Sequence, residues 1–173
     1  TILRDGRLQR RSLAVAHGRI TRGPLPEIDL GGLLLLPGLV DLRCDALERA
    51  PAAVADLPAA LDAAGRAAAA GGVTTGWLTQ AWSWEDEARG PDAALRLLAA
   101  HAAWRACAPA DLRIRIRAET HMTGEADRLL AAIRRHGVDL VVFSDHARRA
   151  VDDPATPAET RSRAETVLAC GPE

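Results

Sequence analysis

Four apolar runs in this chain end in side chains that can move protons, hold cations or grip anions. LVDLRCD closes on Asp41, Arg43 and Asp45, and VTTGWLTQ carries Thr79 and Gln80. RIRIRAETH delivers Arg117, Glu119 and His121, and VVFSDH delivers Ser144, Asp145 and His146. Two carboxylate-plus-imidazole pairs at successive strand ends are what a divalent metal site needs. Such ligands suit zinc or manganese, and the bound ion can generate hydroxide near neutral pH.

Each of these residues also has a plainer role available. Asp45 divides evenly between metal ligand and rim carboxylate at a helix start, where acidic residues are favoured. Glu119 leans towards function, because a carboxylate following a buried strand end is not required for solvation. His121 reads more economically as a loop residue. A histidine after a strand, as at position 146, can satisfy backbone groups without any metal. Arg113, Arg115 and Arg117 share one strand face. For the first two, an internal salt-bridge ladder with Glu119 or Asp145 is the simpler reading. Arg117 stays open between ladder and anion grip, for which a planar guanidinium is suited. Trp77, Trp82 and Trp84 read as an aromatic plug under a loop rather than a substrate lid. His101 falls inside a helix and reads as structural.

The elements that position these groups alternate. Residues 1–36 break into short strands at Asp5-Gly6, His17-Gly18, Gly23-Pro24 and Gly31-Gly32, giving a small β unit of β-sandwich type. From Leu33 onward, apolar strands alternate with Ala-rich helices. LLLLPGLVDL precedes a helix over 57–70 stopped by Gly71-Gly72, and VTTGWLT precedes a helix from Pro91 to about Cys107. LRIRIRAE precedes a helix over 124–136 with Thr123 as its cap and Gly137 as its end. VDLVVFSD precedes a last helix opened by the capping box Thr156-Pro157-Ala158-Glu159. Helices between apolar strands imply a parallel sheet with right-handed crossovers, and strand C-terminal ends are where a (β/α) barrel keeps its chemistry. The fold class is therefore α/β: a small β unit at 1–36, then about four βα units of a (β/α)₈-type barrel at 37–173.

Composition narrows the chemistry. The chain has 173 residues, fewer than the roughly 250 of a complete barrel, so the barrel reads as truncated. A net charge of −1 gives no electrostatic case for nucleic acid or an anionic membrane. Every basic side chain other than histidine is arginine. No Schiff-base, P-loop or carboxylated lysine is thus available. Cys44, Cys107 and Cys170 are odd in number and widely spaced, which points to reduced thiols and a cytoplasmic location. No apolar run approaches the roughly 20 residues of a membrane span.

The order of motifs over residues 5–42, with PGLVDL at its end, resembles the amidohydrolase superfamily. LPGLVDLRCDALER, GGVTT, RIRIRAE and VVFSDH together are similar to its phosphonate-metabolism branch, the α-D-ribose 1-methylphosphonate 5-triphosphate diphosphatases. The likeness covers residues 1–146. It implies a metal-dependent hydrolase that releases pyrophosphate from a ribose 1-phosphonate 5-triphosphate. It further implies Asp45, Glu119 and His146 as ligands of zinc or manganese, Asp145 as a catalytic group and Arg117 as a substrate grip. The departures are specific. Arg43 stands where the branch has its first metal-ligand His, Ala64 replaces another His, Ala118 replaces Cys, and Ala147-Arg148-Arg149 follows Asp145-His146. A charged arginine cannot ligate a metal.

Two further readings follow from those departures. One is a truncated or degenerate homologue that binds without turnover. The other is an amidohydrolase acting on a cyclic amide, against which the Arg-x-Glu strand argues. The expected partner is a phosphorylated small molecule. Open sheet edges would be covered by self-association or by a second half of the barrel.

Overall fold

The structure, a computed structural model, describes residues 1–47 and 56–169. Cys170 lies outside the described residues, and Cys44 and Cys107 are free thiols. The chain divides into two compact units, Thr1–Gly38 and Leu39–Glu173.

The first unit is two hairpins. β1 (Ile2–Arg4) pairs antiparallel with β2 (Arg7–Gln9), and β3 (Ala14–Ala16) with β4 (Arg19–Thr21). Both turns use left-handed pairs, Asp5-Gly6 at φ 50° and 72° and His17-Gly18 at φ 52° and 70°. Two consecutive positive φ values define the tight turn whose twist matches the strands. Two separate two-stranded sheets stand where a sandwich-type unit was expected. Strands of three residues carry too few inward side chains to bury one sheet on another. The leucine run also belongs to this unit: Leu35 bridges to Ile2, so it does not extend the first barrel strand.

The second unit is a curled sheet of four parallel strands in the order β5-β6-β7-β8, compatible with part of a (β/α) barrel. The strands are β5 (Leu39–Cys44), β6 (Val73–Trp82), β7 (Asp111–Glu119) and β8 (Leu140–Ser144). α1 (Leu57–Ala70) and α2 (Pro91–Trp104) make the first two crossovers, and α3 (Ala126–His136) the third. α1 starts where Asp56 accepts a bond from the Ala59 amide, with Pro at the first turn, and it ends at Gly71. Gly72 then takes φ 78° to turn the chain into β6.

Alternation along β7 sorts the sheet into two faces. Leu112, Ile114, Ile116 and Ala118 join the apolar core with Leu61, Ala64 and Ala68 of α1 and Ala94, Leu97 and Leu98 of α2. Arg113, Arg115, Arg117 and Glu119 therefore share the opposite, inner face. Ala64 fits its place because it is small: it packs in the α1–sheet layer with Gly65, against which Trp104 lies. His101 is buried in the same layer, where its Nε2 meets the Leu112 carbonyl at 2.8 Å, confirming a structural role.

Two local differences have physical causes. The helix expected at 124–136 begins as a 3-10 turn (Thr123–Glu125), and Thr123 does not cap it. The Met122 amide bonds back to the Glu119 carbonyl and the Glu125 amide to the Met122 carbonyl, so the chain leaves β7 in a turn before α3 can start. A short helix absent from the sequence reading, α4 (His146–Asp152), follows β8 directly, and α5 (Ala158–Ala169) comes after it. Each of the three tryptophans has an arginine of its own. Arg113 lies over Trp77, Arg128 over Trp82 and Arg163 over Trp84, each guanidinium 5.0 to 6.0 Å from its ring.

The tight seat of Gly65 yields a stability test. A Cβ there would sit 2.8 Å from Trp104 and 3.1 Å from Pro109. Gly65→Ala is expected to cost about 1–3 kcal/mol, despite alanine's better helix propensity, as read by urea denaturation.

Candidate functional site

The C-terminal ends of the four strands bring together two polar groups. The first centres on Asp45. Its Oδ1 accepts from the Thr79 hydroxyl at 2.9 Å and its Oδ2 from Arg43 Nε at 3.0 Å. Arg115 Nη2 lies 3.9 Å from Oδ1, and Arg115 Nη1 donates to the Leu42 carbonyl at 3.2 Å. Burial raises the Asp45 pKa, but the Thr79 hydroxyl and the Arg43 and Arg115 charges outweigh it, so the carboxyl titrates below its ordinary value. Thr79 is not at a strand end as expected; β6 runs on to Trp82, and Thr79 is a buried inner-face residue. Gln80 is structural, its amide donating to the Ala81 and Ala88 carbonyls across the following loop. Asp41 turns its carboxylate onto the Arg43 amide at 2.8 Å and so shapes the end of β5.

The second group centres on Glu119, whose side chain is fully buried. Oε1 accepts from the Ser144 hydroxyl at 2.6 Å and Oε2 from the His146 amide at 2.9 Å. His146 Nδ1 faces Glu119 Oε1 at 3.2 Å and Glu85 Oε2 at 3.5 Å. Arg117 Nη2 lies 3.6 Å from the same Glu85 oxygen. Glu119 thus ties the end of β7 to the start of α4, and Glu85 faces both Arg117 and His146.

His121 turns out to be more than a loop residue. Its Nε2 lies 2.9 Å from Asp145 Oδ1, where the N–H donates. Asp145 also caps α4 by accepting from the Arg148 amide at 3.0 Å. The His121 bond first, and then the Arg148 amide, hold the Asp145 carboxyl below its ordinary pKa.

The arginine ladder exists, but with other partners than Glu119 and Asp145. Arg113 bonds Asp111 at 2.7 Å and Asp139 at 2.6 Å, and Trp77 Nε1 donates to the same Asp139 at 2.7 Å. Glu85, and the pairing of His121 with Asp145, are what the sequence reading missed; it named both of those residues but took His121 for a loop residue. The acidic run Trp84-Glu85-Asp86-Glu87 after the second strand was the available signal for Glu85. A histidine two residues past an Arg-x-Glu strand end was the signal for His121.

The structure joins Glu119 to His146 but places Asp45 in a different set of contacts. Among the described residues, no group of three or more His, Cys, Asp or Glu side chains is placed to hold a metal ion. Both Glu119 oxygens already accept hydrogen bonds, both Asp45 oxygens do too, and a guanidinium stands where the resemblance expects an imidazole. As arranged, Glu119 and His146 face each other, whereas Asp45 is held by Thr79 and Arg43. Comparison with protein-family models, curated proteins and solved structures found no match. Among the described residues, no helix is long and apolar enough to cross a membrane.

Two outcomes follow. Glu119→Gln turns an amide NH₂ towards a hydroxyl or backbone donor in a dry site, and should cost about 1–3 kcal/mol in thermal or urea unfolding. Because the Asp145 pKa is lowered on folding, its contribution is complete above the unfolded carboxyl value of about 4 and is lost as pH falls through the folded value. Asp145→Asn should therefore lower stability at neutral pH and flatten the acid limb of a stability–pH curve.

Proposed function

We propose that this chain is an amidohydrolase-type half-barrel that binds a phosphorylated small molecule at its strand ends and does not hydrolyse it. The observation carrying this reading is the pair Arg115 and Arg117 on the inner face of β7, with Arg43 at the end of the neighbouring sheet edge, around positions where the resemblance expects metal ligands. Charged guanidinium groups are suited to phosphate oxygens and cannot ligate a metal. Arg117 would grip the substrate. Thr79 offers a hydroxyl donor beside Arg115 on the inner face, and the His121–Asp145 pair holds a proton at Nε2.

The second reading is the metal-dependent hydrolase itself, releasing pyrophosphate from a ribose 1-phosphonate 5-triphosphate in phosphonate catabolism. The contact of His146 with both Glu119 and Glu85 favours it, since these are ligand types already gathered at one strand end. It requires zinc or manganese and a rearrangement that frees carboxylate oxygens now engaged. Asp145, the candidate catalytic group, would also have to leave its capping bond.

Calorimetry and ³¹P NMR with a ribose 5-triphosphate separate the readings. Expected are measurable binding, weakened about tenfold or more in Arg117→Gln, and no pyrophosphate in the presence of zinc or manganese. Metal-dependent release of pyrophosphate by protein that retains stoichiometric metal would instead establish the hydrolase. Absence of binding would overturn the leading reading.

A further inference from the structure

We propose that Asp45 is a built-in stand-in for the bound anion: its carboxylate occupies the arginine site and must be displaced for a phosphate group to enter. This inference rests on the phosphate-binding reading above and adds to it an internal competitor.

The contacts of Asp45 are those a phosphate would take. One oxygen accepts from a hydroxyl, Thr79, at 2.9 Å, and the other from a guanidinium, Arg43, at 3.0 Å. A second guanidinium, Arg115, stands 3.9 Å away, beyond hydrogen-bond reach. The side chain of Arg115 is only 10% exposed, and its buried Nε–H has no hydrogen-bond partner among the described residues. A buried guanidinium N–H without an acceptor is costly, and a planar carboxylate anchored on β5 does not reach it. A tetrahedral anion has more acceptor oxygens and could bond Arg115 as well as Arg43 and Thr79. Arg43, with 71% of its side chain exposed, is free to follow either anion. Asp45 lies just beyond the end of β5, after an irregularity between Asp41 and Cys44 in the β5–β6 pairing. Asp45 belongs to no strand, so displacing its side chain breaks no strand pairing.

The stand-in also explains why a polar inner face persists without ligand. Arg115 unmet by any anion would be a buried lone charge, which is strongly destabilising. Asp45 supplies a partial counter-charge and holds the arginines apart.

The test uses inorganic pyrophosphate as probe, titrated at low ionic strength so that screening does not mask the effect. The wild type is compared with Asp45→Asn, Asp45→Ser and the double variant Asp45→Asn/Arg115→Gln. Asp45→Asn should bind pyrophosphate about tenfold more tightly than wild type. Asp45→Ser removes the carboxylate but keeps Arg43, Arg115 and the Thr79 hydroxyl; it should also bind more tightly than wild type. The double variant should lose the gain. Asp45→Asn should also melt lower than wild type without pyrophosphate, and its melting temperature should rise more when pyrophosphate is added. Should Asp45→Asn prove too unstable to titrate, Asp45→Ser carries the test. Wild-type binding with no gain in Asp45→Asn or Asp45→Ser overturns the stand-in alone. No pyrophosphate binding by any of the proteins overturns both the stand-in and the phosphate-binding reading.

Discussion

Placing charge on the inner face of a strand is the constraint around which the second unit is built. β7 alternates apolar residues towards the helices with Arg113, Arg115, Arg117 and Glu119 on the other side. Breaking one buried charge from its partner costs about 3–5 kcal/mol, a large fraction of a domain's stability. Each of these residues is accordingly met from a different direction. Asp111 and Asp139 serve Arg113 at the lower end, Asp45 and a backbone carbonyl serve Arg115, Glu85 faces Arg117, and Ser144 with His146 closes on Glu119. The partners come from β5 and the residue after it, the β6–α2 loop, the start of β7, the residue before β8 and the β8–α4 junction. One strand's charge pattern thus constrains the geometry of every element around the strand ends.

The fold was legible where periodicity and punctuation agree. The helix over 57–70, bounded by Asp56 and Gly71-Gly72, and the alternation of RIRIRAE needed no tertiary information. The leucine run did not behave as its hydrophobicity suggested, because a bridge from Leu35 to Ile2 claims it for the hairpin unit. α4 was invisible because its start depends on Asp145 turning back to cap it and on Glu119 receiving the His146 amide. Both contacts are made at the end of a strand and leave no periodic trace.

The site was legible as a set of residues but not as an arrangement. Asp45, Arg117, Glu119, Asp145 and His146 all lie at or near strand ends, as the βα pattern requires. Which of them meet was decided by short-range competition for hydrogen bonds. Arg43, two residues from Asp45, captures it; His121 captures Asp145; Ser144 and a backbone amide capture Glu119. A sequence gives the roster of acceptors and donors but not the order in which they satisfy one another.

The complete substitution of arginine for lysine has a consequence for the inner face as a whole. Guanidinium groups keep their charge through the whole alkaline range in which an amine would surrender it. The cationic rungs on β7 are therefore permanent fixtures, and only their acidic counterparts can be switched off. The charged layer between β5 and β8 can be unfastened from one side alone: acid loosens it, whereas base leaves every arginine rung in place.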